Sequence, residues 1–206
     1  MSVNVKQEGQ IRMERLKKQI EFIHEIDKLK YIQRKTKLFK SNRHENDAEH
    51  SWHLAMMAMV LAEHSNEPID ILKVLKMVLI HDIVEIDAGD TFLYDTTKSH
   101  DNWSEELAAA ERIFGLLPTG QKEESIDVWK EFETGETNEA KFAKAIDRLE
   151  PVLQNLSNGG GTWTEFSVEF ETVINKINGI QKASNTLWDY TEEMIDKGIR
   201  NGDFKL

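Results

Sequence analysis

The stretch Val78–Glu85 (VLIHDIVE) sets an adjacent histidine and aspartate into an otherwise apolar run. Met77, Ile80 and Val84 recur at helical spacing, so the segment predicts a core-packed helix over about Ile69–Ile86. Pro68 and Asp70 supply its start signals. An unpaired carboxylate on such a face costs several kcal/mol, so Asp82 requires a partner. A divalent cation is one such partner; a buried hydrogen bond to some neighbour is the other. Composition alone predicts roughly 0.4 adjacent His-Asp pairs in this chain. Two occur, and the second, His100-Asp101, lies in a polar stretch (TKSHDNWS) that reads as loop and helix start. The surroundings, rather than the dipeptide, single out His81-Asp82.

Working outward, Glu85 lies four residues after His81 and rises from the same helical face. Asp90 follows Gly89 just past the expected helix end, where the chain turns back across that face. Both carboxylates fall beside a metal at His81-Asp82 without being needed as ligands, as a group that exchanges a proton with bound water requires. The alternative is an ordinary helix terminus, although acids there oppose the helix dipole.

Helical periodicity extends along the chain, and strand-like alternation is almost absent. Leu16, Ile20, Ile23 and Ile26 mark one helix, and about Asp47–Ser65 a second, with Trp52, Met56, Met59 and Val60 on its apolar side. Further helices fit about Ser104–Leu116, Thr119–Thr134, Asn138–Leu156, Thr164–Asn178 and Ser184–Gly198. The longest non-periodic passage, Asp87–Trp103, follows the His-Asp helix directly, and loops of that length are commonly functional. The expected fold is all-α, a single-domain bundle of about eight helices, with a core over about residues 15–157. Helices over 163–200 either pack on that core or form a dimer contact, and packing is the favoured reading for most of their apolar residues.

The 206 residues carry 26 Lys+Arg against 37 Asp+Glu, a net charge of −11, and no cysteine. Disulfide scaffolds, thiolate zinc sites and thiol nucleophiles are thereby excluded. The acidic balance argues against long nucleic acid, which needs a basic face, but not against a small phosphorylated ligand received through one cation and a few basic groups. The first residues lack the apolar core of a secretory signal, and no run approaches a membrane span, so a cytoplasmic protein with no membrane partner is expected.

Three of the seven histidines fall in Arg43–His53 (RHENDAEHSWH). Taken alone, this cluster fits a polar helix start better than a metal site, and helical spacing does not choose between His50 and His53. A further acid, Asp147 in AIDRLEP, sits beside the stripe Phe142, Ile146, Leu149 and Leu153. It reads equally as a partner for Arg148 or a nearby lysine. Pro151 lies four residues on and predicts a kink there.

In this order the pieces resemble the HD-domain phosphohydrolase superfamily, whose signature is a His, a later His-Asp pair and a distant Asp around one divalent metal. The match is His50, His81-Asp82 and Asp147. The segments RHENDAEHS (Arg43–Ser51), HDIVEIDAGD (His81–Asp90) and KAIDRLE (Lys144–Glu150) resemble the branch containing bacterial 5′-deoxynucleotidases. The resemblance selects His50 over His53 and implies one divalent metal ion: Mn²⁺, Co²⁺, Mg²⁺, Fe²⁺ or Zn²⁺. It makes Glu85 the residue that handles the attacking water or its proton, and Asp90 a second polar contact. Arg34 falls where that branch carries a phosphate-binding arginine, with Lys35 and Arg43 as further basic candidates. In the deoxynucleotidases an aromatic residue that helps select deoxyribose follows that arginine, whereas here the next residue is Lys35.

The implied activity is metal-dependent release of phosphate from a nucleoside 5′-monophosphate or 5′-deoxynucleotide. Cleavage of a nucleotide phosphoanhydride or cyclic phosphodiester is the nearest alternative, and a non-catalytic helical metal-binding interaction module the alternative of a different class. The resemblance also implies a homodimer.

Overall fold

A computed structural model describes residues 2–95 and 102–202, with side chains from residue 7 onward. His100-Asp101 and the middle of the loop before Trp103 lie outside the described residues. The architecture is helical: α1 (Ser2–Ile26) leads through a 3₁₀ turn into a hairpin, β1 (Gln33–Lys37) and β2 (His44–Asn46). Then come α2 (Asp47–Leu61), α3 (Ile71–Ile80), α4 (Glu85–Ala88), α5 (Trp103–Phe114), α6 (Thr119–Thr134) and α7 (Asn138–Ser157). The chain finishes with α8 (Gly161–Glu165), α9 (Phe170–Ile177), α10 (Gly179–Ala183) and α11 (Asn185–Asn201).

Local chemistry fixes the ends that matter to the site. Asn46 caps α2 in a capping box, accepting from Glu49 N while the Glu49 carboxylate accepts from Asn46 N. Asp70 caps α3 by accepting from Leu72 N at 2.9 Å. The expected single helix over 69–86 is in fact three pieces, because α3 stops at Ile80 and His81–Val84 winds as a 3₁₀ turn before α4. Gly89, at φ 76°, then reverses the chain toward Asp90 in a conformation that favours glycine. Helix α7 runs unbroken through Pro151.

Two apolar clusters hold the elements together. One joins α2, α3 and α7 to the C-terminal helices, so that Leu54, Met77, Phe142 and Ile146 share a core with Ile180, Leu187 and Ile195. The other packs α5 and α6 on the 3₁₀ turns through Ile83, Ile113, Phe114 and Trp129. Each such fully buried side chain contributes about 1.5–3 kcal/mol. Among the C-terminal apolar residues Trp163, Val173, Leu187 and Trp188 are buried, while Phe166 and Tyr190 stay exposed.

Three further sequence expectations are corrected. The hairpin replaces what periodicity left unassigned: Gln33–Lys37 pairs antiparallel with His44–Asn46, and only Thr36 in β1 is buried. The apolar stripe Leu16, Ile20 and Ile23 of α1 stays largely exposed, because Phe22 and Ile26 are the α1 side chains that pack on the second cluster. Helix α2 is rotated relative to expectation: His50, Ser51, Leu54, Met57 and Ala58 face inward, while Trp52, Met56, Met59 and Val60 are exposed. Among the described residues, no helix is long and apolar enough to cross a membrane.

Candidate metal centre

Four side chains from three parts of the chain converge. His50 comes from the first turn of α2, His81 and Asp82 from the 3₁₀ turn after α3, and Asp147 from the middle of α7. All four are buried. His50 Nε2 lies 3.1 Å from Asp147 Oδ1 and 4.0 Å from Asp82 Oδ2. His81 Nε2 lies 3.0 Å from Asp82 Oδ1 and 3.6 Å from Asp147 Oδ1. Ligands held at about 2.0–2.2 Å from one cation sit roughly 3–4 Å apart, so this spacing suits a shared ion.

The hydrogen bonding supports that fit. His81 Nδ1 donates to the Val78 carbonyl at 3.1 Å, so Nε2 is the nitrogen a cation would take in exchange for a proton. That Nε2 is buried and has no hydrogen-bond partner; Asp82 Oδ1 is near enough but out of line. Two imidazoles and two carboxylates form an N/O donor set that suits a divalent cation.

Electrostatics give the same picture. Burial opposes a charge on His81, yet Asp82 and Asp147 outweigh it and raise the imidazole to about 9. Burial would raise Asp82, but His81 and Arg34 hold it at about 2. Asp147 is likewise held well below the usual carboxylate range, by His50 and His81 against its burial. Protons on the two histidines are what a cation displaces, so binding should release them.

Beside this set lies an acidic trio, Asp47, Asp82 and Glu85, threaded by Arg34. Arg34 Nη1 donates to Asp82 Oδ2 at 3.1 Å and reaches Asp47 Oδ1 at 3.5 Å. Burial, then the nearby Asp82, raises Asp47 to about 7. The same two causes, with Asp47 added, push Glu85 well above its ordinary value.

His81, Asp82 and Asp147 open onto a cavity of about 320 Å³, with Arg34, Glu85 and Asp90 also in its wall. His50 sits behind them. Lys35 reaches the cavity rim from β1. Arg43 does not: it is exposed, with its guanidinium forked onto Glu49 by two 2.9 Å bonds. His53 is also turned away, its Nδ1 3.1 Å from Glu150 Oε1.

Sequence reading missed three buried acids here: Glu45, Asp47 and Glu150. A signal existed for two of them. Asp47 stands three residues before His50 and Glu150 three after Asp147, so each shares a helical face with a candidate ligand.

The chain also resembles known proteins. An HD domain family model matches residues 26–188. The 5′-deoxynucleotidase HDDC2 of Xenopus laevis is 30% identical over 138 residues, covering 66% of this chain and 67% of that protein. The Danio rerio protein of the same name is 27% identical over 174 residues, covering 81% and 86%. A crystal structure from Magnetospirillum magnetotacticum MS-1, described as a "Predicted metal-dependent phosphohydrolase", superposes with a TM-score of 0.89 at 47% identity, covering 93% of this chain and 96% of that one. With the family model matched across most of its length and the His, His-Asp and Asp residues gathered in one buried cluster, the chain belongs to the HD-domain family of metal-dependent phosphohydrolase enzymes.

Proposed function

We propose that the chain releases phosphate from a nucleoside 5′-monophosphate, using one divalent cation held by His50, His81, Asp82 and Asp147. The carrying observation is a buried His–His–Asp–Asp cluster whose open side faces a cavity shared with Arg34 and Glu85. Relatives bearing the name 5′-deoxynucleotidase support the nucleotide. When bound, the cation supplies a Lewis acid and lowers the pKa of bound water toward neutrality.

The remaining work falls to the chain. Arg34 makes its contacts through Nη1, and its planar fork has further donors for phosphoryl oxygens. Lys35 adds charge at the rim. Glu85, whose burial beside Asp82 and Asp47 favours its protonated form, exchanges a proton with the attacking water or the leaving sugar oxygen, and Asp90 orients a water or sugar hydroxyl beside it. Arg43, spent on Glu49, drops out of the substrate site. The donor set suits Mn²⁺, Co²⁺, Mg²⁺, Fe²⁺ or Zn²⁺ alike.

The test is phosphate release from matched ribo- and deoxyribonucleoside monophosphates with each metal in turn. Release that is metal-dependent and lost in Asp82→Ala is expected. Undiminished activity in that variant, or pyrophosphate or triphosphate as the product, overturns the reading. A homodimer belongs to the same proposal, supported by the exposed apolar side chains of α1 and α2. Sedimentation velocity of the full chain checks it.

A further inference from the structure

His50 and His81 are supported in opposite ways. Behind His81 stands a neutral acceptor, the Val78 carbonyl. Behind His50 stand two carboxylates: Nδ1 lies 3.4 Å from Glu45 Oε2 and 3.4 Å from Glu150 Oε2. Glu45 arrives from β2 and Glu150 from α7, and both are at most 1% exposed. Nδ1 and the two carboxylate oxygens facing it are all buried without a hydrogen-bond partner. The other Glu150 oxygen is tied down by His53 Nδ1 at 3.1 Å and by the Gln154 amide. Two buried carboxylates facing a single N–H would be costly if orientation were the only need, since one acceptor suffices for that. They suit a ring that carries positive charge, because a cation at Nε2 draws electron density from the imidazole and strengthens Nδ1–H as a donor.

We infer that Glu45 and Glu150 are positioning residues that act through His50, keeping its proton on Nδ1, aiming Nε2 into the cluster and making His50 the stronger of the two imidazole ligands. The inference rests on the metal-centre reading above. His53 and Gln154 are the outer brace, since they fix the Glu150 carboxylate that faces the ring. This buried acidic pair lies on the side of His50 away from the cavity, and neither glutamate lines it.

The test uses the full chain stripped with chelator, then titrated with Co²⁺ against a chromophoric competitor while the visible absorption of bound Co²⁺ is recorded. Glu45→Gln and Glu150→Gln are each expected to raise the Co²⁺ dissociation constant about 10–100-fold, with a shifted Co²⁺ spectrum. A purely structural role would lower Tm and leave affinity and spectrum unchanged in the folded protein, which overturns the inference. Two Co²⁺ per chain, with the second lost in Glu45→Gln, also overturns it, because Glu45, His53 and Glu150 would then be ligands themselves. If Glu150→Gln fails to fold, Glu45→Gln decides alone. Wild type that binds no Co²⁺ overturns the metal-centre reading; tight wild type with unchanged variants overturns this inference only.

Discussion

Helix α7 takes Asp147, Glu150, Gln154 and Asn155 out of water, whereas α1 leaves Ile11, Leu16, Ile20 and Ile23 between 42% and 62% exposed. Each buried polar group of α7 meets a specific neighbour. Asp147 has His50 and His81, Glu150 has His53 and Gln154, and Asn155 accepts from Thr162 N and Oγ1 at 2.8 and 2.9 Å. Helix α1 has fewer such neighbours: Phe22 tilts against Phe114 at 6.2 Å, and the stripe beside it stays largely exposed. Partners, more than polarity, decide what is buried. A buried acid therefore points to chemistry, and an exposed apolar stripe to assembly.

The largest test of that contrast removes an acid from α7. Asp147→Ala deprives both histidines of a shared carboxylate, so phosphate release should fall by on the order of 10³-fold or more while the far-ultraviolet circular dichroism stays helical. Retained activity would reduce Asp147 to an ordinary buried ion pair. Next comes Arg34→Ala, expected to cost about 10²–10³-fold in kcat/KM. Arg34→Lys should recover little of it, because an ammonium cannot reproduce the two-pronged contact. Full recovery would mean that charge alone matters at that position.

How much of this was legible follows the same division. Helix α6 has the expected bounds, Thr119–Thr134, because Pro118 and Gly135 punctuate a clean periodic run. His81-Asp82 stood out because it interrupts an apolar face, which marks buried charge without any structure, whereas His50 and Asp147 were singled out only by the resemblance to the HD-domain superfamily. The hairpin carrying Arg34 could not, since Gln33–Lys37 (QRKTK) shows no apolar alternation and pairs through its backbone. The exposed stripes of α1 and α2 misled for the converse reason. Periodicity reports a helix and its apolar side, but not whether anything covers that side. The break after Ile80 was hidden because the apolar pattern runs straight through the 3₁₀ turn that aims His81 and Asp82.

A smaller effect, read in chelated protein, isolates the acidic trio. Burial and Asp82 raise Asp47 from an ordinary 3.8 to about 7 in the folded state. Between those values the unfolded chain has lost this proton and the folded chain keeps it, so folding takes up a proton. Asp47's contribution is thus fully present below about pH 4 and is lost as pH rises through 7, at about 1.4 kcal/mol per pH unit. Urea unfolding across pH 4–8 should show that decline, and Asp47→Asn should flatten it. An unchanged slope in the variant would mean that Asp47 is ionised throughout, held by Arg34.

The smallest expected effect lies on α1 itself. If Leu16, Ile20 and Ile23 belonged to a core, replacing each with serine would cost about 1.5–3 kcal/mol. Exposed as they are, each should change monomer stability by no more than about 0.5 kcal/mol and leave phosphate release within about twofold. Urea midpoints measured at two protein concentrations separate the outcomes. A large loss that is independent of concentration would show the stripe buried within one chain and dissolve the contrast with α7. A loss that appears only at high concentration, together with a slower-sedimenting species, would show that a second copy covers the stripe. In that event the two helices obey one rule: each set of side chains is where its partner is, within the chain for α7 and between chains for α1.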